Sequence, residues 1–147
     1  MSMPVNYSRV ALAALGTFVV YFVLGGLTFV LLPSLADEFR NYPAIYRTQD
    51  AMKSIMPFGM VAMFVAMLAL ATLYAMVYRG GSGIAEGARF GCLIGVFSVC
   101  AFVVHNYVNL NIGLRLTMIQ VPVYLVQWII AGIVLGLIYR AKAKPLV

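Results

Sequence analysis

The sequence predicts an all-α membrane protein, folded as one bundle of four transmembrane helices. Of its 147 residues, 64% are hydrophobic and only 10% are charged, where a soluble domain averages about half and about a quarter. The apolar residues fall into four runs long enough to cross a hydrocarbon core of about 30 Å, without the alternation of a lipid-facing β-barrel. No Asp or Glu lies inside any of the four runs. This balance excludes a water-soluble globule and a disordered chain.

The first run covers residues 10–32. It is far longer than the 7–15 apolar residues of a cleaved signal, so it reads as an uncleaved span despite Arg9 before it and the small residues Ser34 and Ala36 after it. The segment 33–56 is the one sizeable loop. Ser34 is a candidate N-cap for a short helix with Asp37 and Glu38 in its first turn. Pro43 can open a second helical stretch over 44–55. Phe39, Tyr42, Ile45, Tyr46, Met52 and Ile55 suit the loop to the headgroup region, either lying on the bilayer or serving as a lid or docking surface.

The second span, 57–78, opens on Pro57 and the fourth, 118–139, contains Pro122 near its start. Gly80-Gly81-Ser82-Gly83 reads as a flexible turn leading to the third span, 90–108. Glu86 and Arg89 stand three apart, a spacing that permits a local ion pair. The connection 109–117 is short, so spans three and four should be antiparallel neighbours. Spans two and four both close on a Tyr-Arg pair, Tyr78-Arg79 and Tyr139-Arg140, which makes two repeated antiparallel hairpins a candidate architecture.

Orientation follows from the cations. Arg9, Arg79, Arg89, Arg140, Lys142 and Lys144 fall on one side, against Arg40, Arg47, Lys53 and Arg115 on the other. The positive-inside rule then puts both termini in the cytoplasm. The net charge of +6 is too scattered to form a nucleic-acid patch. Cys92 and Cys100, eight residues apart on one helix, stand about 12 Å apart and cannot bridge.

Small residues mark helix contacts. Gly87, Gly91 and Gly95 recur every fourth residue with Ser98 one turn on, and Gly132 and Gly136 form a second GxxxG. Gly25-Gly26 and the Ala62, Ala66, Ala69 stripe give spans one and two similar faces. A compact bundle uses most of these, and one left over would serve a homodimer or a larger membrane complex.

Polar residues at membrane depth are the natural functional candidates. On an unbroken helix, Ser98, His105 and Asn109 share one face, with Asn106 beside them. Gln120, Tyr124 and Gln127 share another at the start of span four. The two faces can meet as a polar pocket near the outer leaflet, or fasten the two spans by hydrogen bonds. No catalytic set or metal-ligand spacing exists, and a carboxylate-driven exchanger is argued against by the acid-free spans. His105 is the single histidine, so haem ligation would need a second chain or a single axial ligand. Met60, Met63 and Met67 lie on one face and suit copper in principle, but apolar packing first.

Four-helix microsomal transferases of the glutathione and eicosanoid type are similar to this chain in length and basicity only. The polar pattern expected on their second helix is missing from 57–79. The strings Glu86-Gly87-Ala88-Arg89-Phe90-Gly91, His105-Asn106-Tyr107, Leu137-Ile138-Tyr139-Arg140 and Met56-Pro57-Phe58-Gly59 resemble those of small, uncharacterised four-span bacterial membrane proteins. That resemblance implies a bacterial inner-membrane address and no known activity. The expectation is therefore a non-enzymatic accessory or structural component without a cofactor. A small-solute pore or transporter is the alternative, and a haem- or copper-linked redox protein a more distant one.

Overall fold

A computed structural model describes residues 5–140, and among them it contains helices and no strand. Helix α1 spans Tyr7–Leu31, α2 Pro33–Arg40, α3 Gln49–Val77, α4 Gly83–Asn109 and α5 Leu114–Tyr139. All but α2 are long and apolar enough to cross a membrane. Side-chain oxygens cap three of them. Asn6 accepts the Arg9 N–H at 3.1 Å, Thr48 that of Ala51 at 3.3 Å, and Ser82 that of Ala85 at 3.5 Å.

The spans outrun their sequence boundaries. Pro57 and Pro122 lie inside α3 and α5, each the ninth residue of its helix, whereas the sequence boundaries put Pro57 first and Pro122 fifth. Each removes one i→i−4 bond, to the carbonyls of Lys53 and Met118, yet the helix runs on because apolar surroundings offer its backbone no other partner. The loop departs from expectation in the same region. Leu32, not Ser34, precedes α2, with Pro33 at its first position. Residues 43–46 form turns, and the helix expected over 44–55 starts only at Gln49 and merges into α3.

In space the spanning helices are ordered α3, α1, α5, α4. The α4–α5 pair is the tightest, and glycine is the reason. A Cβ on Gly83 would stand 2.6 Å from the Gly136 carbonyl oxygen, and one on Gly132 would stand 2.6 Å from the Gly91 Cα. Gly87 likewise faces the Gly132 backbone. The two glycine motifs thus face each other within one molecule and bring backbone against backbone, where dispersion rather than water release holds helices together.

The small faces on the other two helices have different uses. Ala62, Ala66 and Ala69 point outward, and α3 packs instead through Met67, Ala71, Tyr74 and Ala75. These meet Val10, Ala13 and Ala14 of α1 and Leu135 and Tyr139 of α5. Gly25 and Gly26 do not form a close helix seam, and nothing lies within 4 Å of a Cβ on Gly26.

One end, here called basal, gathers both Tyr-Arg pairs. The Tyr74, Tyr78 and Tyr139 rings lie 5.6–5.9 Å apart, and Tyr74 meets Phe90 of α4 at 5.3 Å. The Arg9 guanidinium donates to the Tyr139 carbonyl at 3.4 Å and also to that of Arg140. Arg9 and Arg140 are therefore on the same side. The two hairpins are present, but α1 packs along α5 while α3 and α4 lack a matching seam, so the hairpins do not pair symmetrically.

The basal turn is more structured than its composition suggests. Gly80 takes a φ of 87°, which favours glycine. Glu86 does not pair with Arg89. Its carboxylate accepts the Arg79 N–H at 3.1 Å and the Gly81 N–H at 2.8 Å. The Tyr78 hydroxyl donates to the Gly81 carbonyl at 3.1 Å.

Candidate functional site

The distal half holds a large recess. Above Met67, α3 leaves the bundle, and every residue from Gln49 to Ala62 is exposed. The departure opens a cleft of about 420 Å³ between α1, α2, α3 and α5. Gln120, Tyr124 and Gln127 of α5 line it together with Tyr21, Gly25 and Gly26 of α1. Phe29 of α1, Leu35 and Phe39 of α2, and Met56 of α3 complete its distal end. A volume in this range is typical of small-molecule sites.

Gln127 is 8% exposed, and its Nε2 donates to the Tyr21 carbonyl at 3.0 Å, tying α5 to α1. Gln120 is 9% exposed and makes no hydrogen bond among the described residues. Their periodicity puts Gln120, Tyr124 and Gln127 on one helical face, as read from the sequence, but that face looks toward α1 and not toward α4.

The other expected pocket residues lie elsewhere. Ser98 is buried at the end of the glycine face of α4. His105, Asn106 and Asn109 are exposed and do not line the cleft. The cause is a π-helical segment, Val99–Val104, within α4. An α-helix advances about 100° per residue. The wider i→i+5 turn advances less, so residues beyond it fall behind the face that Ser98 occupies. A pocket between spans three and four therefore does not form from this set.

Above the cleft, α2 and the following turns make a cap. Leu35, Ile112 and Leu116 are buried there with Phe39, Tyr42 and Ile119 against them. The Tyr42 hydroxyl accepts the Gly113 N–H at 2.9 Å, supplying the cap that α5 lacks from its own N-cap residue. Glu38, its side chain 9% exposed, pairs with Arg115 at 3.0 Å and anchors α2 to the first turn of α5. Burial, then Tyr124 and Tyr42, push the Tyr46 hydroxyl above its ordinary range. Leu35, Glu38, Phe39 and Tyr42 recur at helical spacing, a signal that would have marked this face.

The remaining candidates find packing environments or none. Met67 is fully buried, Met63 packs beside the core, and Met60 is exposed. Among the described residues no three His, Cys, Asp or Glu side chains converge. Cys92 and Cys100 are free and exposed. No family model, curated protein or solved structure matches the chain.

Proposed function

We propose that this is a non-enzymatic component of a bacterial inner-membrane assembly, with its basal end in the cytoplasm, and that α3 is its joining surface. The observation that carries this reading is the unpartnered distal half of α3. Phe58 is 82% exposed, and the stripe continues through Ala62, Ala66 and Ala69 without a contact helix. Small residues at that spacing allow close backbone approach by another spanning helix, and in this chain both other glycine motifs are already used internally. The cytoplasmic assignment of the basal end rests on Arg9, Arg79, Arg89 and Arg140 together with the cations that follow.

A photo-crosslinking residue at Phe58 tests it in native membranes. One discrete adduct of fixed mass, from a second copy or from another chain, is the expected result. The same probe at Leu93, an exposed apolar residue on α4, should give none. Only diffuse lipid adducts at both positions would refute the reading.

A further inference from the structure

The distal cleft joins an apolar wall to polar groups left without partners. None of its lining residues carries a formal charge at neutral pH. Gln120 makes no hydrogen bond among the described residues, and Gln127 commits only its Nε2, to Tyr21, leaving its carbonyl oxygen unpaired. Both glutamine side chains are buried as residues but open on the cleft, where an unpaired amide costs more in hydrocarbon than near water. Along α5, Gln120 stands about 9 Å and Gln127 about 20 Å from Leu114. In a hydrocarbon core of about 30 Å, Gln127 is therefore level with the acyl tails.

That depth selects the ligand. A phospholipid can insert a tail here but not its charged head, and a bare tail would leave both amides unsatisfied. A neutral molecule with an apolar body and its own oxygen satisfies both requirements. Gly25 and Gly26 leave the α1 wall bare, with open space beyond Gly26 where a side chain would otherwise stand.

We infer that the cleft binds an uncharged, lipid-soluble molecule bearing a ring or chain carbonyl or hydroxyl oxygen, quinone-like in chemistry. The Gln120 amide and the Tyr124 hydroxyl meet its oxygen, and its apolar body lies along Gly25, Gly26 and Phe29. This site is independent of the assembly role of α3 and stands whether or not a partner helix is found.

The protein carries its own reporter. Trp128 is the single tryptophan, adjoins Gln127 in sequence and packs on Tyr21 of the cleft wall with ring centroids 5.0 Å apart. The full chain in lipid nanodiscs is titrated with a decyl-substituted benzoquinone, which quenches indole fluorescence. Saturable quenching, reversed by non-quenching 1-decanol, is expected. Gln120→Leu should raise the half-saturation point about tenfold through the lost hydrogen bond. Gly26→Phe starts from a Cβ with nothing within 4 Å and sends a ring from the cleft wall; it should abolish the saturable component while leaving the helical circular dichroism unchanged.

Quenching that rises linearly and equally in all three proteins would overturn the proposal. So would saturable quenching by brominated-chain phospholipid alone, lost in Gly26→Phe, with none from the quinone. That pattern would mean a lipid tail fills the cleft.

Discussion

The two halves of α3 are similarly apolar and meet opposite fates. In the basal half, Met67, Ala71 and Tyr74 are buried against α1 and α5. In the distal half, Phe58 and Val61 face outward, and no residue from Gln49 to Ala62 is buried. The same contrast runs through the molecule. The basal and central parts are drawn together by glycines that let α4 and α5 touch along their backbones, whereas the distal part is held by a cap and encloses a cleft. In lipid, apolar side chains gain little from leaving the solvent, because the solvent is as apolar as they are. Packing therefore depends on shape. Where small residues face each other the helices close, and where Gly26 meets no opposing side chain or backbone it leaves space.

Burial in the bundle also carries a desolvation cost. Thr17 Oγ1, the Tyr74 hydroxyl and Trp128 Nε1 are buried without a partner among the described residues. Dispersion along the seam offsets that cost.

The largest effect should come from the seam itself. Gly132→Leu drives a side chain into Gly91 and the Gly87 carbonyl. A loss of about 3 kcal/mol or more is expected, with α4 and α5 forced apart. Thermal unfolding in detergent measures it, and a wild-type midpoint would mean that the seam does not hold the pair.

Next comes a contrast within α3. Met67→Ala empties a fully buried site and should cost about 2–5 kcal/mol. Phe58→Ala removes a larger side chain from the exposed half, at a cost below about 0.5 kcal/mol in the isolated protein. Equal losses for the two would erase the distinction between the halves.

A more local effect concerns the cap. Arg115→Ala leaves Glu38 unpaired in its buried position. A local loss of about 1–2 kcal/mol follows, smaller than for a fully buried pair because Arg115 is itself exposed. Hydrogen exchange should quicken across α2 while the α4–α5 seam keeps its protection. Uniform change along the chain would show that the cap and the bundle are a single unit.

Much of this molecule is legible without coordinates. Each residue contributes to the transfer of a segment into lipid largely on its own, so four apolar runs suffice to place four spans. The even number of crossings puts Arg9 and Arg140 on one side. The spacing of Gly87, Gly91, Gly132 and Gly136 marks a seam, since only small residues admit such close contact.

Tertiary structure decided which faces meet. The π-helical segment at Val99–Val104 turns His105 and Asn109 away from Ser98, and no residue type in that stretch announces it. The Gln120, Tyr124 and Gln127 face was readable, but its partner was not, because α4 and α1 offer it equally apolar surfaces. The Ala62, Ala66, Ala69 stripe looked like a packing face and lies outside, since Met67 and Tyr74 fill the space against α1 better. Hydropathy is a sum over single residues and survives in the sequence. Helix-to-helix fit depends on pairs of surfaces, and those exist only once the chain has folded.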